Sequence, residues 1–581
     1  MSGSSARFLF SIAGIAFETR VVEFQAIEGI STTFDVTVTI ACGKEHRLSF
    51  REVAGREATL TVVSSSRPGI NLATKKPDDP NRYFSGVVVK LKPAGTIGTY
   101  NLYRLRLVPS LWLLTFERDC RIFQNADVTE IVSTVLKDAR ILSDRFEFRP
   151  IAKPPKQEYR VQYRETDFNL VSRLLEEEGF FYWFEHDKAR HFLVLTNDKF
   201  HCLPIKGDPV VPLAAADGRS HGSEFVSAFS FSHRVRPGAY SQNSFNERNL
   251  DLELEAGTSG DLFDNLEVYD YTGDYKDPER GDFLAKLRLE EQKVMRKKYR
   301  GESNCPRLTP GHRFTLEDRI NGSLDDEYLI AAVAHSGSQP QALDAHAGSA
   351  GHYSNSFVCF LADYAFRPAR ITPKPVVTGL QSAIVVGREG AEIETDDLGR
   401  IKVQFHWDRE GKRDERSSCW LRVAQGWAGL FRGMQFIPRV GDEVLVDFLE
   451  GDPDRPIVVG SVYNGDNPPI YQPGADNPVS GIKTRSTPKG EGFNELRFND
   501  RKGAEEISIH GERDWRITIK NDKIQEIGGA SSTTVKGPST ERAQEITLTA
   551  ESKITLLCGG STIVLEPSGV TIIGPTVNIN K

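Results

Sequence analysis

The sequence predicts a multidomain, mainly β protein with some α+β regions, and three observations carry this prediction. Apolar and polar residues alternate with period two along much of the 581-residue chain, which is typical of strands with one buried face. Glycine- and proline-rich turns separate these strands. Two linkers, at 368–375 and 471–493, divide the chain into regions 1–367, 376–470 and 494–581, in keeping with the three or four domains expected at this length.

The first region, residues 1–367, is predicted to combine strand-rich barrels with a few packed helices. The helices are predicted to begin at Asp127, near Thr166 and at Asp277. Asp127 and Glu130 have the spacing of a capping box, and the apolar face of the helix that follows extends to Leu142.

The N-terminus and the cysteines indicate a cytosolic chain. Phe8, Phe10 and Ile12 occupy alternate positions, which predicts a first strand rather than a signal peptide. The seven cysteines are far apart and form no Cys-x-x-Cys pair, so we expect neither a disulfide framework nor a zinc site. Any export must then avoid the usual signal route.

The second region, residues 376–470, contains five short strand candidates separated by Gly and Pro turns. They are 382–386, 400–407, 419–424, 443–449 and 457–463. Five strands in fewer than 100 residues predict a small closed barrel of the OB type.

The last region, residues 494–581, carries a repeat of short strands and tight turns. From residue 545 onward the apolar residues form pairs at intervals of about eight residues: Ile546 and Leu548, Ile554 and Leu556, Ile563 and Leu565, Val570 and Ile572, and Val577 and Ile579. One copy cannot wrap a core around this face, because a single-chain β-helix needs about 20 residues per coil. Three chains wound around one axis would share the ten side chains as a dry core. The alternative is an antiparallel meander packed on the rest of the protein.

Other functions are disfavoured by composition and by missing motifs. Between 376 and 470 there are 11 Lys and Arg against 16 Asp and Glu, the wrong sign for a groove that follows phosphates. Trp407, Trp420 and Trp427 are better explained as core residues than as stacking platforms. No catalytic motif is found, and the acidic run 450–455 is interpreted as a turn in which Arg455 pairs locally.

Histidines offer two conceivable metal sites, and we interpret neither as one. His312, His335, His346 and His352 lack ligand spacing and are predicted to lie in solvated loops. One His510 per chain could give three ligands on a three-fold axis, but the inward positions are predicted to be Ile507 and Ile509, which leaves His510 on the surface.

Several motifs resemble VgrG, the valine-glycine-repeat spike family of type VI secretion systems, which is itself similar to the hub and needle of contractile phage tails. They are FNLVSRLLEEEGFFYWFEH (168–186), RIKVQFHWD (400–408), SSCWLRVAQGWAG (417–429), IPRVGDEVLVDFLEGDPDRPIVVGSVYN (437–464), 481–486 and NELRFND (494–500). The stretch Leu430-Phe-Arg-Gly433 departs from the family, which more often has Gly and Trp there, and we expect a local loop change.

The resemblance implies an architecture and a set of partners. Residues 1–367 would form two hub barrels, 376–470 the OB-fold neck and 494–581 an intertwined trimeric β-helix or β-prism needle. The homotrimer would seat its hub on the hexameric Hcp tube and contact baseplate proteins. A PAAR-repeat protein would bind the blunt end, at Thr576, Val577, Asn578, Ile579 and Asn580.

The resemblance also implies a function without an enzymatic activity or a cofactor. The spike would assemble in the bacterial cytoplasm, be secreted on sheath contraction, and carry effector or adaptor proteins through a target membrane. Only a linker stands where the phage protein has a lysozyme domain, and the sequence as given stops at Lys581, where some family members continue into a toxin domain. Alternatives are the hub and needle of a phage tail or related injection particle, a trimeric β-helical glycan-degrading enzyme, and an OB-type nucleic-acid binder.

Overall fold

The computed structural model of the chain describes residues 7–63, 79, 81–150, 152–214, 224–271, 273–319, 322–340, 343 and 351–580. The chain divides into two compact units. One comprises residues 1–492 and 496–508, and the other comprises 493–495 and 509–581. No helix among the described residues is both long enough and apolar enough to cross a membrane.

The first barrel is a closed ring of six strands. Its elements are β1 (Arg7–Ile12), β2 (Arg20–Gly29), β3 (Thr32–Gly43), α1 (Phe50–Val53), β4 (Glu57–Val63), β5 (Arg82–Ile97) and β6 (Tyr100–Val108). The strand order is β1-β4-β5-β6-β3-β2, and β2 pairs back onto β1 to close the ring. The predicted first strand is confirmed, since Phe8, Phe10 and Ile12 alternate into the core.

A layer of helices and short strands follows the first barrel. Its elements are β7 (Arg118–Ala126), α2 (Val128–Asp138), β8 (Phe146–Phe148), β9 (Gln157–Thr166), α3 (Asp167–Glu177), β10 (Phe181–His186) and β11 (His191–Thr196). The capping box of α2 is confirmed, but the predicted extent of its apolar face is wrong. Arg140 adopts a positive φ of 61° and Ile141 N–H donates to the Leu136 carbonyl, a Schellman-type ending that leaves Leu142 exposed.

The second barrel is also a closed ring of six strands, with a small insert. Its elements are β12 (Val210–Leu213), β13 (Val226–His233), β14 (Ala239–Asn243), β15 (Ala256–Ser259), β16 (Glu267–Tyr271), α4 (Pro278–Val294), β17 (Lys297–Ser303), β18 (Arg313–Asp318), β19 (Asp326–Ser338) and β20 (His352–Leu361). The ring runs β19-β18-β12-β13-β17-β20 and closes where β20 pairs with β19, while β14, β15, β16 and α4 form the insert. β19 also pairs with β2, so the two barrels share one continuous sheet.

A buried polar network lies at the junction of the two barrels. Glu28 on β2 pairs with Arg82 and accepts a hydrogen bond from His335 Nε2 at 3.1 Å, and His335 Nδ1 lies 2.7 Å from the Tyr353 hydroxyl. His186 is buried beside them and its Nδ1 accepts the Ser85 N–H at 3.0 Å. Burial lowers the pKa of His186 to about 3, and the Arg82 guanidinium adds to this effect.

The buried histidine predicts that the protein loses stability in acid. Below pH 6.5 the unfolded chain binds a proton at His186 that the folded chain cannot, so its share of the unfolding free energy falls by about 1.4 kcal/mol per pH unit down to about pH 3. His186→Asn, whose amide oxygen can replace Nδ1 as acceptor, should reduce the pH dependence of the unfolding free energy by this amount between pH 6 and 5, as measured by urea denaturation. The exposed His352→Asn is the control, and an unchanged slope in His186→Asn would contradict this account.

The third barrel, residues 381–462, confirms the predicted OB-type topology. Its elements are β21 (Gln381–Val386), β22 (Lys402–Phe405), β23 (Arg422–Val423), β24 (Ala428–Gly429), β25 (Arg432–Gly433), β26 (Glu443–Phe448) and β27 (Pro456–Val462). The sheet order is β22-β21-β26-β27-β23, and a bridge between Ile401 and Leu421 closes the barrel. Trp407 stacks on core Phe405 as expected, but the core prediction for Trp427 is wrong, because its side chain is half exposed on the hairpin of β24 and β25.

The C-terminal region forms two three-stranded sheets. Their strands are β28 (Val479–Lys483), β29 (Glu495–Asn499), β30 (Glu506–His510), β31 (Ile554–Cys558), β32 (Ser561–Glu566) and β33 (Gly569–Ile573). The described residues 511–553 form no strand, although the repeat predicted strands there. A strand needs a neighbour for its N–H and C=O groups, and one copy of this chain supplies none at these positions.

Candidate assembly interface

The three last strands bring six predicted core residues onto one face. β31, β32 and β33 form an antiparallel meander in which Ile554, Leu565 and Val570 are directly opposite one another, as are Leu556, Ile563 and Ile572. Directly opposed residues on neighbouring strands share a face, and so do residues two positions apart. The antiparallel connection of the alternative topology is therefore present, but its apolar face is not packed on other residues of the chain. Its register aligns the apolar pairs into two rows.

This apolar face is exposed in the single chain. Ile563 and Leu565 keep 39% of their surface exposed, and Val570 keeps 63%. The opposite face is mixed, with Thr555, Thr571 and an ion pair of 2.9 Å between Lys553 and Glu566, together with exposed Leu557. A contiguous apolar patch that is exposed to solvent indicates an interaction surface.

The remaining predicted core and tip residues lie outside strands. Ile546 and Leu548 precede the meander, while Val577 and Ile579 follow it, and all four are exposed. The predicted tip residues Thr576, Asn578 and Asn580 are also exposed and follow β33 without forming a strand. These outer pairs form no strand in one chain, and their place in a core shared by three chains stays a prediction.

A second feature, where the insert of the second barrel meets the OB barrel, was missed from the sequence. Lys374 in the proline-rich linker places its Nζ 3.0 Å from Asp274 Oδ2, 2.7 Å from Asp452 Oδ2 and 2.8 Å from Asp454 Oδ2. Arg160 Nη1 contacts two of the same carboxylates, at 3.0 Å from Asp274 and 2.9 Å from Asp454. We call these five residues the junction cluster. It connects β9, the insert, the linker and the OB barrel.

The pKa values of the three carboxylates in the junction cluster shift in different directions. Burial raises the pKa of Asp452, whereas Lys374 and Arg160 hold the pKa of Asp274 and of Asp454 below the usual range. The three carboxylates in turn raise the pKa of Lys374. Asp274, Asp452 and Asp454 form the group of potential metal ligands in the described part of the chain. The Lys374 ammonium lies among them and supplies the positive charge that a cation would otherwise bring.

The acidic turn at 450–455 is only partly as predicted. Asp452 Oδ1 accepts the Asp454 N–H at 2.9 Å, which confirms the turn geometry. The expected local pairing with Arg455 is wrong, since the carboxylates instead bind Lys374 and Arg160, whose cationic groups reach the turn from other elements.

The histidine predictions divide in the same way. His335 is buried in the barrel network, so its solvated-loop interpretation is wrong, and His312 is partly buried with Nδ1 3.2 Å from the Pro310 carbonyl. His352 is exposed as expected, and His346 lies outside the described residues. His510 is exposed as predicted and lies against the ring of Phe493.

Three family profiles match successive parts of the chain. Residues 27–341 match the phage tail baseplate hub (GPD), and residues 382–463 match the type VI secretion system/phage-baseplate injector OB domain. Residues 480–556 match the bacteriophage T4 gp5 C-terminal trimerisation domain. In order, these ranges cover the barrel pair, the OB barrel and the beginning of the C-terminal region.

Relatives with assigned names cover most of the chain. It is 38% identical to the type VI secretion system spike protein VgrG1c of Pseudomonas aeruginosa, over 84% of this chain and 69% of the relative. VgrG1a of the same organism is 36% identical over 79% of this chain and 72% of the relative. The actin cross-linking toxin VgrG1 of Vibrio cholerae is 32% identical over 99% of this chain, which spans 55% of that protein.

Solved structures agree in fold, and the family follows from the whole set of matches. An Escherichia coli type VI secretion component, described as structurally similar to the T4 tail proteins gp27 and gp5, aligns with a TM-score of 0.55 at 21% identity, over 78% of this chain and 99% of that one. A chain of the Francisella PdpA-VgrG complex aligns with a TM-score of 0.55 at 8% identity, over 98% of this chain and 88% of that one. The order of hub, OB and trimerisation regions, together with relatives above 35% identity, shows that this chain belongs to the VgrG family of type VI secretion system spike proteins.

Proposed function

We propose that the chain is the structural spike of a type VI secretion system and works as a homotrimer. The observation that carries this proposal is the apolar face of the meander, which is aligned by register and exposed in one copy. The match to a trimerisation domain, residues 480–556, extends into β31, the first strand of this meander. Three copies would place these faces around one axis, where each copy buries the rows of the other two.

The two barrels support a proposal for the hub. Each chain has two closed six-stranded rings joined through β2 and β19, so a trimer presents six barrels. A pseudo-six-fold ring of this kind matches the symmetry of a hexameric tube such as Hcp. The proposed hub spans 1–367, the OB neck 376–470, the linker 471–493 and the needle 494–581.

The end of the chain supports a proposal for the tip. Residues 576–580 are exposed and belong to no strand, so their N–H and C=O groups could pair with another chain. A PAAR-repeat protein would dock here, and the tipped needle would puncture the target membrane when the sheath contracts. Effectors would travel with the spike, as the toxin name of one relative and the PdpA complex of another suggest for those proteins. In this proposal the spike assembles in the cytoplasm and is exported by the secretion system rather than through a signal peptide.

A secretion assay tests this function. Deleting the gene in its own bacterium should abolish release of the tube protein into the medium, and the wild-type gene should restore it. A gene carrying Ile563→Asp should fail to restore release, whereas Thr571→Asp, on the opposite face of the meander, should succeed. Undiminished release in the deletion strain, with no second spike gene expressed, would contradict the proposal.

A phage-tail hub is the second candidate, because two of the matching profiles are named for phage proteins. Particles purified from the same bacterium decide between the two. If this chain is found in particles that have a capsid with packaged DNA, the phage-tail hypothesis is favoured. If it is found in DNA-free sheath and tube assemblies, the secretion system is favoured.

A further inference from the structure

The hairpin of β24 and β25 presents an apolar surface that the proposed function does not use. We call residues 427–436 the neck hairpin. Its tip residue Phe431 is 100% exposed and its neighbour Leu430 is 79% exposed. Half-exposed apolar side chains at its base extend the patch: Trp427, Met434 and Phe436. Five large apolar residues together on one short element exceed the scattered exposure that is normal for a protein surface.

The neck hairpin is a defined structure. Ala428 pairs with Gly433 and Gly429 pairs with Arg432, and Met434 N–H donates to the Trp427 carbonyl at 2.8 Å. Gly433 has a φ of 154°, and a Cβ there would lie 2.6 Å from the Trp427 carbonyl oxygen, so this close approach requires glycine. Phe431 itself has a φ of 54°, a left-handed conformation that is uncommon for an aromatic residue. The backbone therefore holds the phenyl group out into solvent.

The segment that follows the neck hairpin contacts the first residues of the region that matches the trimerisation domain. Arg439, three residues after its end, donates from Nη2 to the Arg485 carbonyl at 2.8 Å. Thr487 Oγ1 donates to Glu392 Oε2 at 2.6 Å, and the Glu392 carbonyl accepts the Val440 N–H at 3.0 Å. Residues 485 and 487 both fall within the match to the trimerisation domain. The start of that domain is thus bound to the segment that follows the hairpin.

We propose that the neck hairpin is a contact between neighbouring copies, with Leu430 and Phe431 packing against the neck of the adjacent chain. Continuity with the trimerisation region identifies a second copy as the occupant, because the domain that brings three chains to one axis is attached at the hairpin's base. This inference rests on the proposed trimer and adds a specific surface to it. The contact would brace the three neck barrels where the needle begins.

Photo-crosslinking in the full-length protein tests the contact. A benzoylphenylalanine at position 431 should give covalent dimers and trimers several-fold more often than the same probe at Phe200, which is 77% exposed in the hub. The yield at 431 should fall to the Phe200 level when Ile563→Asp is added, because the copies are then separate.

A native mass measured on the same samples separates the possible failures. A trimer with no more crosslinking at 431 than at Phe200 would overturn this inference and leave the proposed function standing, with the hairpin then free for a different partner. A monomer would contradict the proposed function itself, and the contact with it.

A second variant tests the same contact. Leu430→Ser combined with Phe431→Ser should keep the trimer and lower its dissociation temperature, and an unchanged temperature would also count against the contact.

Discussion

Ile563→Asp should convert the protein from a trimer to a monomer. Ile563 lies at the centre of the apolar face, opposite Leu556 on one side and Ile572 on the other. In the proposed trimer the substitution places three carboxylates near one axis, and each costs several kcal/mol to bury without a partner. The expected loss is therefore more than about 10 kcal/mol per trimer, and sedimentation equilibrium at micromolar concentration would measure it.

Thr571→Asp is the matched control for this substitution. Thr571 lies in the same meander, directly opposite Val564 and on the other face, so the same charge stays in water. It should leave the trimer intact. Equal tolerance of both substitutions would mean that the apolar face is not the interface, and equal sensitivity would mean that a charge at either position disrupts the meander itself rather than the contact between copies.

Lys374→Met should destabilise the junction of the hub and the neck by about 1–3 kcal/mol, because the ion pairs are only partly buried and lie between an exposed pair and a fully buried one in strength. The substitution keeps the length of the side chain but leaves Asp274, Asp452 and Asp454 with only Arg160 to balance them. Chemical denaturation should show an earlier first transition, and limited proteolysis should cut the 368–375 linker faster.

The control for Lys374→Met is an exposed ion pair in the same unit. Arg319→Ala breaks a pair with Glu317 in which both side chains are largely exposed, and it should cost less than about 1 kcal/mol. If Lys374→Met behaved like Arg319→Ala, the junction cluster would be an incidental contact rather than the connection between the two regions.

Local signals in the sequence were sufficient for the barrels and helices. The capping box at Asp127 and Glu130 depends on residues three apart, and the period-two pattern of β1 depends on six consecutive residues. The OB barrel could also be predicted from the sequence, because its strands are short and separated by turn residues. The end of α2 was missed because the left-handed backbone at Arg140, unlike a glycine cap, leaves no sequence signal.

Features that depend on distant partners could not be predicted. The proline-rich linker around Lys374 predicts a solvated charge. Nothing near Lys374 in the sequence indicates that Asp274, 100 residues earlier, accepts a hydrogen bond from its ammonium group at 3.0 Å. The sequence around His335 predicts a loop, but His335 lies on β19, which pairs with β2 and places the imidazole beside Glu28. In both cases the environment of the residue comes from the sheet topology rather than from the neighbouring residues.

The apolar pairs of the C-terminal repeat are an intermediate case. The sequence showed which residues alternate, and the register then placed six of the ten on one face. The outer pairs at Ile546 and Leu548, and at Val577 and Ile579, stay unpaired in one chain. Their place in a needle core is a property of the assembly and remains a prediction.

Native mass spectrometry of the intact protein would show whether three chains share the apolar face, because a shared core requires three copies. We expect a single species at three times 64.8 kDa that persists on dilution into the nanomolar range. A folded species at 64.8 kDa under native conditions would show that one chain tolerates its exposed apolar face alone. The needle, the puncturing role and the contact at the neck hairpin would then have no basis.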